Sequence, residues 1–371
     1  MQLCIDYFLL DHPIIIMYHI VYYMVVLWRR DMKRIKPLVA WLTTNRTCNN
    51  KCKWCYTYEY KCNNLTMNSE KIKKTVDMLA NNGIKKIILI GGEPTINKEI
   101  IDIIEYINKK NIIVSIASNG RKFSDFSFTQ NCKKAGLSFA NISIKGINDE
   151  QYIKNTNSIG FSEMIEGYKN LKKCDVNLAM SYVITSNNIE EFFNLKKMLL
   201  ENNISSILFL LYKPSINTQD HSVEPPIIDL AKACKTAYSV FKNSGIDIKF
   251  EMSIPLCLFE NEFLDTLISK KMLSTCCHIT KGNGIVFDTD FNILPCNHFV
   301  DNPLNNQPIS VENIIDFWNS DTCNDFRHAI RKYPSEKCIN CKKWNICGGG
   351  CLLRWLNDDP ENIIIGFNER R

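Results

Sequence analysis

A chain of 371 residues, 45% hydrophobic and 23% charged, is too long for one small domain and too apolar for wholesale disorder. Its 45 Lys and Arg against 39 Asp and Glu leave a net charge of +6, a mild excess that makes no case for nucleic-acid binding. Seventeen cysteines are too sparse for a small disulfide scaffold.

Residues 14–28 (IIIMYHIVYYMVVLW) are apolar except for His19 and are followed by Arg29 and Arg30. The stretch falls short of the about 20 residues a membrane helix needs, and no basic start or small-residue cleavage site marks a signal peptide. Met32 opens a second plausible start. Residues 1–31 are therefore expected to be an upstream extension, with a membrane-associating segment as the alternative.

From Leu38 onward, strand-like and helix-like segments alternate. Short apolar runs with β-branched residues predict buried strands over 38–44, 86–90, 112–117, 139–144, 177–185 and 206–212. Between them, residues 69–82 carry Ile72, Val76 and Leu79 at helical spacing and stop at Gly83. Residues 97–110 carry Ile100, Ile101, Ile104 and Ile107, and segments 162–173, 188–202 and 227–243 follow the same period. Six such units predict an α/β fold, a parallel sheet rolled into a partial (β/α)6 TIM-like barrel. Polar residues punctuate the strand ends: Gly91-Gly92-Glu93-Pro94, Ser118-Asn119-Gly120 and Ser143-Ile144-Lys145-Gly146. Such a barrel puts its functional groups there. After residue 250 the alternation gives way to short segments, nine of the seventeen cysteines and the run Gly348-Gly349-Gly350. The expected organisation is an extension at 1–31, a barrel core at 32–250 and a small irregular cluster-holding domain at 251–371, with the boundary near 248–255.

Cysteines concentrate at two places, and close spacing in a large chain fits metal ligation better than disulfides. The first cluster, Cys48-x3-Cys52-x2-Cys55, stands just beyond the first strand. Three thiolates on a short loop can hold three irons of a [4Fe–4S] cluster and leave the fourth open. A chance spacing or part of a zinc site is the plainer alternative. Trp54 precedes the third cysteine, and Gly91-Gly92-Glu93-Pro94 ends the second strand. With this pair of motifs, residues 38–250 resemble the radical S-adenosylmethionine (SAM) superfamily. The resemblance implies that the amino and carboxylate groups of an exchangeable SAM chelate the open iron. It further implies that Gly91, Gly92 and Glu93 hold the amino group, and it counts Trp54 with the cofactor site. Glycines admit close backbone approach, and a carboxylate suits an ammonium. Asn119 and Ser143 fall where these enzymes make ribose or carboxylate contacts; an ordinary strand-end cap is the alternative. Lys154 is matched to a basic residue that meets the SAM carboxylate in relatives, against the blander reading of a surface lysine. Many relatives carry Ser-x-Asp-Gly where this chain has Lys145 in place of the Asp.

The second concentration, Cys338-x2-Cys341-x5-Cys347-x3-Cys351, follows Cys277, Leu294-Pro295-Cys296 and the segment Ile315-Asp316-Phe317-Trp318-Asn319-Ser320. Over residues 255–351 this layout resembles the SPASM domain, the auxiliary iron–sulfur extension of peptide- and protein-modifying radical SAM enzymes. The resemblance implies a first auxiliary cluster on Cys277, Cys296 and Cys351 and a second on Cys338, Cys341 and Cys347. Two departures stand out. The usual glycine five positions before Cys296 is Phe291, and no cysteine follows Cys351. One or two auxiliary clusters are therefore expected, with Cys257 and Cys276 as extra candidate ligands. The second is left with an open iron, with a non-cysteine ligand such as Asp358 or His298, or unformed. Zinc is the alternative, which the x5 and x3 spacings fit poorly. Cys62, Cys132, Cys174, Cys234 and Cys323 read as inert thiols.

The resemblance implies an iron–sulfur enzyme that reductively cleaves SAM to a 5′-deoxyadenosyl radical and abstracts hydrogen from a peptide or protein. A flavodoxin- or ferredoxin-like reductase would supply the electron. Met32 stands so close to the first strand that a separate peptide-recognition protein, or direct leader binding, is expected. The alternative is a radical SAM enzyme of cofactor or small-molecule biosynthesis with the same auxiliary domain; a third reading is a non-catalytic metal-binding module. Oxygen-labile clusters imply the cytoplasm. No nucleic-acid partner is expected, and no catalytic residue is singled out beyond the cluster and SAM site.

Overall fold

The structure, a computed structural model, describes residues 35–356 apart from 58–64, 217, 219, 220, 276, 306, 308, 332–334, 336, 337 and 339. The expectations for residues 1–31, Cys62, Cys276 and Asp358 lie outside the described residues. Apolar runs such as KIILI can satisfy their backbone in a sheet and their side chains under helices, and that is where they go. Strands and helices alternate as β1 (Val39–Thr43), α1 (Ser69–Asn81), β2 (Lys86–Ile90), α2 (Ile100–Lys109), β3 (Ile113–Ser118), α3 (Phe126–Ala135), β4 (Leu137–Ile144), α4 (Asp149–Thr156) and α5 (Phe161–Lys173). They continue as β5 (Asn177–Ile184), α6 (Phe192–Glu201), β6 (Ser206–Leu211), α7 (Ile227–Phe241), β7 (Asp247–Glu251), α8 (Asn261–Ser269), β8 (Leu273–Ser274), β9 (Gly284–Phe287) and β10 (Ile293–Leu294).

The strands form one sheet in the order β10-β9-β1-β2-β3-β4-β5-β6-β7-β8. Neighbours from β1 to β8 pair parallel, as helical crossovers require, and only β9 and β10 pair antiparallel. Strands β10 and β8 end the order, so the barrel is partial and unclosed. All six expected strands and all five expected helices are present, with ends shifted by a few residues. Sequence periodicity missed α3 and α4, which are short and polar and owe their ends to caps. Asp125 accepts from Phe128 N–H and Asn148 from Gln151 N–H, while Gly136 closes α3 at φ 108°.

The expected boundary at 248–255 falls within this sheet. Strand β9 returns from the C-terminal region to pair with β1, Val39 opposite Gly284 and Leu42 opposite Phe287. Trp318, fully buried, donates from Nε1 to the Gly282 carbonyl at 2.8 Å and lies under the Arg327 guanidinium. The Ile315–Ser320 segment thus pins the start of β9.

The two faces of the sheet differ. On β4, Ala140, Ile142 and Ile144 are buried in the main core with the helices, while Asn141 and Ser143 on the opposite, inner face keep partial exposure. Trp41, Ile88 and Ala117 form a separate inner cluster with Ile90, Val286 and Leu294. Among the described residues no helix is long and apolar enough to cross a membrane.

Candidate active site

The loop after β1 carries Cys48, Cys52 and Cys55, none of them in a disulfide. Its shape is set by backbone contacts to strand ends. Gly92 N–H donates to Asn45 O at 2.8 Å and Glu93 N–H to Thr47 O at 2.9 Å. A Cβ on Gly91 would lie 2.3 Å from Asn45 O, and one on Gly92 would lie 2.3 Å from the carbonyls of both Arg46 and Thr47. The glycines are therefore required by the cysteine loop itself, which lies where side chains would be. On its far side the loop docks on the end of α4, with Lys51 N–H on Thr156 O and Lys53 N–H on Asn155 O.

Glu93 is buried, and its carboxylate knits β2 to β3. Oε1 accepts from Thr95 N–H at 3.1 Å, Thr95 Oγ1 at 2.7 Å and Ser118 Oγ at 2.8 Å; Oε2 accepts from Asn119 N–H at 2.7 Å. Oε1 is saturated, and Oε2 retains acceptor capacity. Asn119 is also buried and reaches back to the cysteine loop, Nδ2 to Asn49 Oδ1 at 2.7 Å. Arg121, two residues on, donates to Asn49 O and Asn50 Oδ1 at 2.7 and 2.9 Å. Asn50 in turn donates to the hydroxyl of buried Tyr152. Asn49, Asn50 and Arg121 were not singled out in the sequence, because Asn and Arg carry no spacing signal.

Trp54 is half-buried with the Lys145 ammonium 5.7 Å from its ring. Its indole N–H is buried and has no hydrogen-bond partner among the described residues; the same holds for Asn141 Oδ1 on β4. Ser143, half-buried, stands opposite Ser181 of β5. Lys154 is exposed on α4. Geometry thus joins Gly91, Gly92, Glu93 and Asn119 to the cysteine loop and Trp54 to Lys145; it gives Ser143 and Lys154 no such tie.

The C-terminal cysteines fall into two sets. Cys277, Cys296 and Cys351 share one apolar cluster with Phe299 and Leu353. Burial raises the Cys296 thiol, and the charges of Cys351 and Cys277 add to it. Beside this set sits the Lys213–Glu251 ion pair. Burial opposes the Lys213 charge, but Glu251 and Cys351 override it and raise its pKa. His298 donates from Nδ1 to Pro214 O at 3.0 Å and packs 4.8 Å from the Tyr56 ring, next to Cys55. Burial and then Lys213 lower His298 to about 4, so it is neutral at pH 7. The structure therefore puts His298 beside the first set, away from the second, for which the sequence offered it. Cys338, Cys341 and Cys347 make up the second set, and Cys257, reached from upstream, interacts with all three.

No three His, Cys, Asp or Glu side chains among the described residues converge as the ligands of a single metal ion do. A four-iron cubane puts each thiolate on a different iron, so its ligands stand further apart. Around Cys48, Cys52 and Cys55, the Asn50 N–H on Cys48 Sγ at 3.4 Å and the orphaned Trp54 N–H fit a cluster with a polar organic ligand beside it.

Comparison with known proteins agrees. Residues 42–199 match the Radical SAM superfamily, whose cofactors are a [4Fe–4S] cluster and SAM. The chain is 28% identical to the Fe-coproporphyrin III synthase of Methanosarcina barkeri over 176 residues, 47% of this chain and 43% of that one. It is 30% identical to the GTP 3′,8-cyclase of Petrotoga mobilis over 158 residues, 40% and 48% of the two chains. The chain thus spans about half the length of the curated relatives it matches. In fold it is similar to Streptococcus suis SuiB bound to precursor peptide SuiA, with a TM-score of 0.68 and 17% identity over 97% of this chain and 83% of that one. It is likewise similar to anSMEcpe with bound AdoMet and Cp18Cys peptide, with a TM-score of 0.67 and 20% identity over 90% and 95%. Residues 42–199 are a radical SAM domain, the stretch that the superfamily's model matches.

Proposed function

We propose that this chain is a radical SAM enzyme that modifies a peptide or protein substrate. One observation carries the reading: the Cys48–Cys55 loop and the Gly91-Gly92-Glu93 strand end are hydrogen-bonded into one unit at the carboxyl end of a parallel sheet. Residues 32–250 form the SAM core in this reading and 251–371 the auxiliary-cluster domain. Cys48, Cys52 and Cys55 would hold the SAM cluster, with Gly91, Gly92, Glu93 Oε2 and Trp54 around its ligand. Asn119 ties the loop to β3; Ser143 and Lys154 are the more distant candidates for SAM contacts. When bound, the cluster and SAM supply one-electron cleavage to methionine and a 5′-deoxyadenosyl radical, chemistry no side chain provides. The protein's share is to exclude water and stray hydrogen donors, which the apolar inner cluster of Trp41, Ile88, Ile90, Ala117 and Leu294 suits. Cys277, Cys296 and Cys351 lie nearest the SAM loop through the Tyr56–His298 contact, well placed to take an electron from substrate or anchor it.

The peptide substrate is supported by fold similarity across nearly the whole chain to two proteins solved with peptides. Cofactor biosynthesis is the second reading, favoured by the sequence relatives, though those matches span less than half of this chain. The test is anaerobic reconstitution with iron and sulfide, then incubation with SAM and dithionite. The expected product is 5′-deoxyadenosine, lost in Cys52→Ala. Reconstituted protein that binds zinc and releases no 5′-deoxyadenosine would overturn the reading.

A further inference from the structure

We infer that Cys257 is the fourth protein ligand of the cluster on Cys338, Cys341 and Cys347, making this auxiliary site a four-thiolate [4Fe–4S] centre with no open iron. The inference rests on the iron–sulfur reading above and deepens it. Residues 352–371 hold no cysteine, and the fold brings a fourth thiol to the set from elsewhere. It comes from upstream. Strand β7 ends at Glu251, and Pro255 leads into a single turn, Leu256–Leu258, that carries Cys257. The Leu256 N–H donates to Cys347 Sγ at 3.3 Å, which seats the neighbouring Cys257 against the set. The same segment is clamped once more: Cys351 N–H donates to Ser253 O at 2.8 Å, and a Cβ on Gly350 would lie 2.9 Å from that oxygen.

Half-buried Cys257 stands within electrostatic reach of Cys347, Cys338 and Cys341. Gly348, Gly349 and Gly350 all take left-handed φ values of 60, 77 and 85°. This run turns the chain between Cys347 and Cys351, so that the first meets Cys257 and the second meets Cys277 and Cys296. Four thiolates saturate a cubane. The centre can then pass electrons but offers no iron to a substrate. Among the described residues the Cys48 and Cys277 sets have three thiols each.

The test uses the full chain with Cys48, Cys52 and Cys55 replaced by Ala, so that iron reports the auxiliary sites alone. In that background Cys257→Ala is expected to lose up to about four irons per chain, or to show the paramagnetic signal of an oxidised three-iron cluster. Cys174→Ala, a half-buried thiol at the end of α5, is expected to change neither. Iron and sulfide equal to the background, without a three-iron signal, would overturn the inference. Cys257→Ser keeps the side-chain volume should the alanine variant fold poorly. Mössbauer spectroscopy of it is expected to resolve one more iron with a non-sulfur ligand than the background shows, and a spectrum identical to the background's counts against the assignment. A background that takes up zinc and no iron also overturns it, while 5′-deoxyadenosine release by the unaltered chain decides the proposed function separately.

Discussion

Arg46 and Asp288, 242 residues apart in sequence, form an ion pair with 3% and 4% of their side chains exposed. Arg46 lies two residues ahead of Cys48, and Asp288 directly follows β9. Asp301 meets the same Nη2 at 2.6 Å but is 40% exposed. Burial works against the Arg46 charge; the hydrogen bonds to Asp301 and Asp288 override it and raise its pKa. The cysteine loop is thus anchored to the C-terminal region by charges that cannot be removed one at a time. Arg46→Met is expected to cost about 3–5 kcal/mol by stranding a buried carboxylate. Asp288→Asn is expected to cost less, because Asp301 still meets the guanidinium. Urea unfolding of both variants, with iron per chain, checks the order; equal losses would mean Asp301 carries no share.

Gly92→Ala places a methyl 2.3 Å from two carbonyl oxygens of the cysteine loop. Backbone, unlike a flexible side-chain end, cannot step aside cheaply, so the loop must lift from β2. The overpacking cost is expected to reach about 1–3 kcal/mol, and the iron lost should be that of Cys48, Cys52 and Cys55 alone. Iron per chain, compared with Cys52→Ala, measures this. Wild-type iron in Gly92→Ala would show that the loop tolerates displacement.

Glu93→Gln separates a positioning role from ligand contact. An amide must turn its NH2 toward Asn119 N–H or toward the three donors on Oε1, so one buried contact becomes donor against donor. That costs about 1–3 kcal/mol without any ligand present. Chemical denaturation of the apoprotein is expected to report the loss. An apoprotein as stable as wild type, with SAM affinity alone reduced, would refute the knitting role.

The strands were legible because each is a continuous apolar run, the one pattern a doubly covered parallel strand imposes. The cysteine loop was legible because its ligands are neighbours in sequence. Cys257 was visible as an extra candidate ligand with no cluster assigned to it, since the turn that carries it lies about eighty positions ahead of Cys338. Strands β8 and β10 have two residues each, too few for any period to register. Gly91 and Gly92 were expected to make room for a ligand; their space is filled by the carbonyls of residues 45–47, a contact no local pattern encodes.

Trp54→Phe keeps a ring near Lys145 and deletes the buried indole N–H that has no partner among the described residues. Removing an orphaned donor should leave the apoprotein as stable or more so. If SAM takes up that donor, its affinity is expected to fall about two- to tenfold, the equivalent of about 0.5–1.5 kcal/mol. Anaerobic equilibrium binding of SAM, beside a melting curve of the apoprotein, reads both. Unchanged affinity would place the indole N–H away from the ligand.

Phe291 stands where the resemblance leads one to expect glycine, and its backbone remains left-handed at φ 70°. A turn demands it: Phe291 N–H donates to Asp288 O at 2.9 Å, and Asp288 N–H to Asn292 O at 3.0 Å. For a residue with a Cβ that conformation costs about 1–2 kcal/mol, here offset by the ring packing 5.7 Å from that of Phe287. Phe291→Ala loses the ring and keeps the strain, whereas Phe291→Gly loses the ring and releases it. Glycine is therefore expected to be the more stable of the two by about 1 kcal/mol, the reverse of the usual order. Thermal melting of the two variants measures the difference. Alanine above glycine would mean that the turn relaxes once the ring is gone, and that Phe291, through its packing on Phe287, is what holds the backbone left-handed five residues ahead of Cys296.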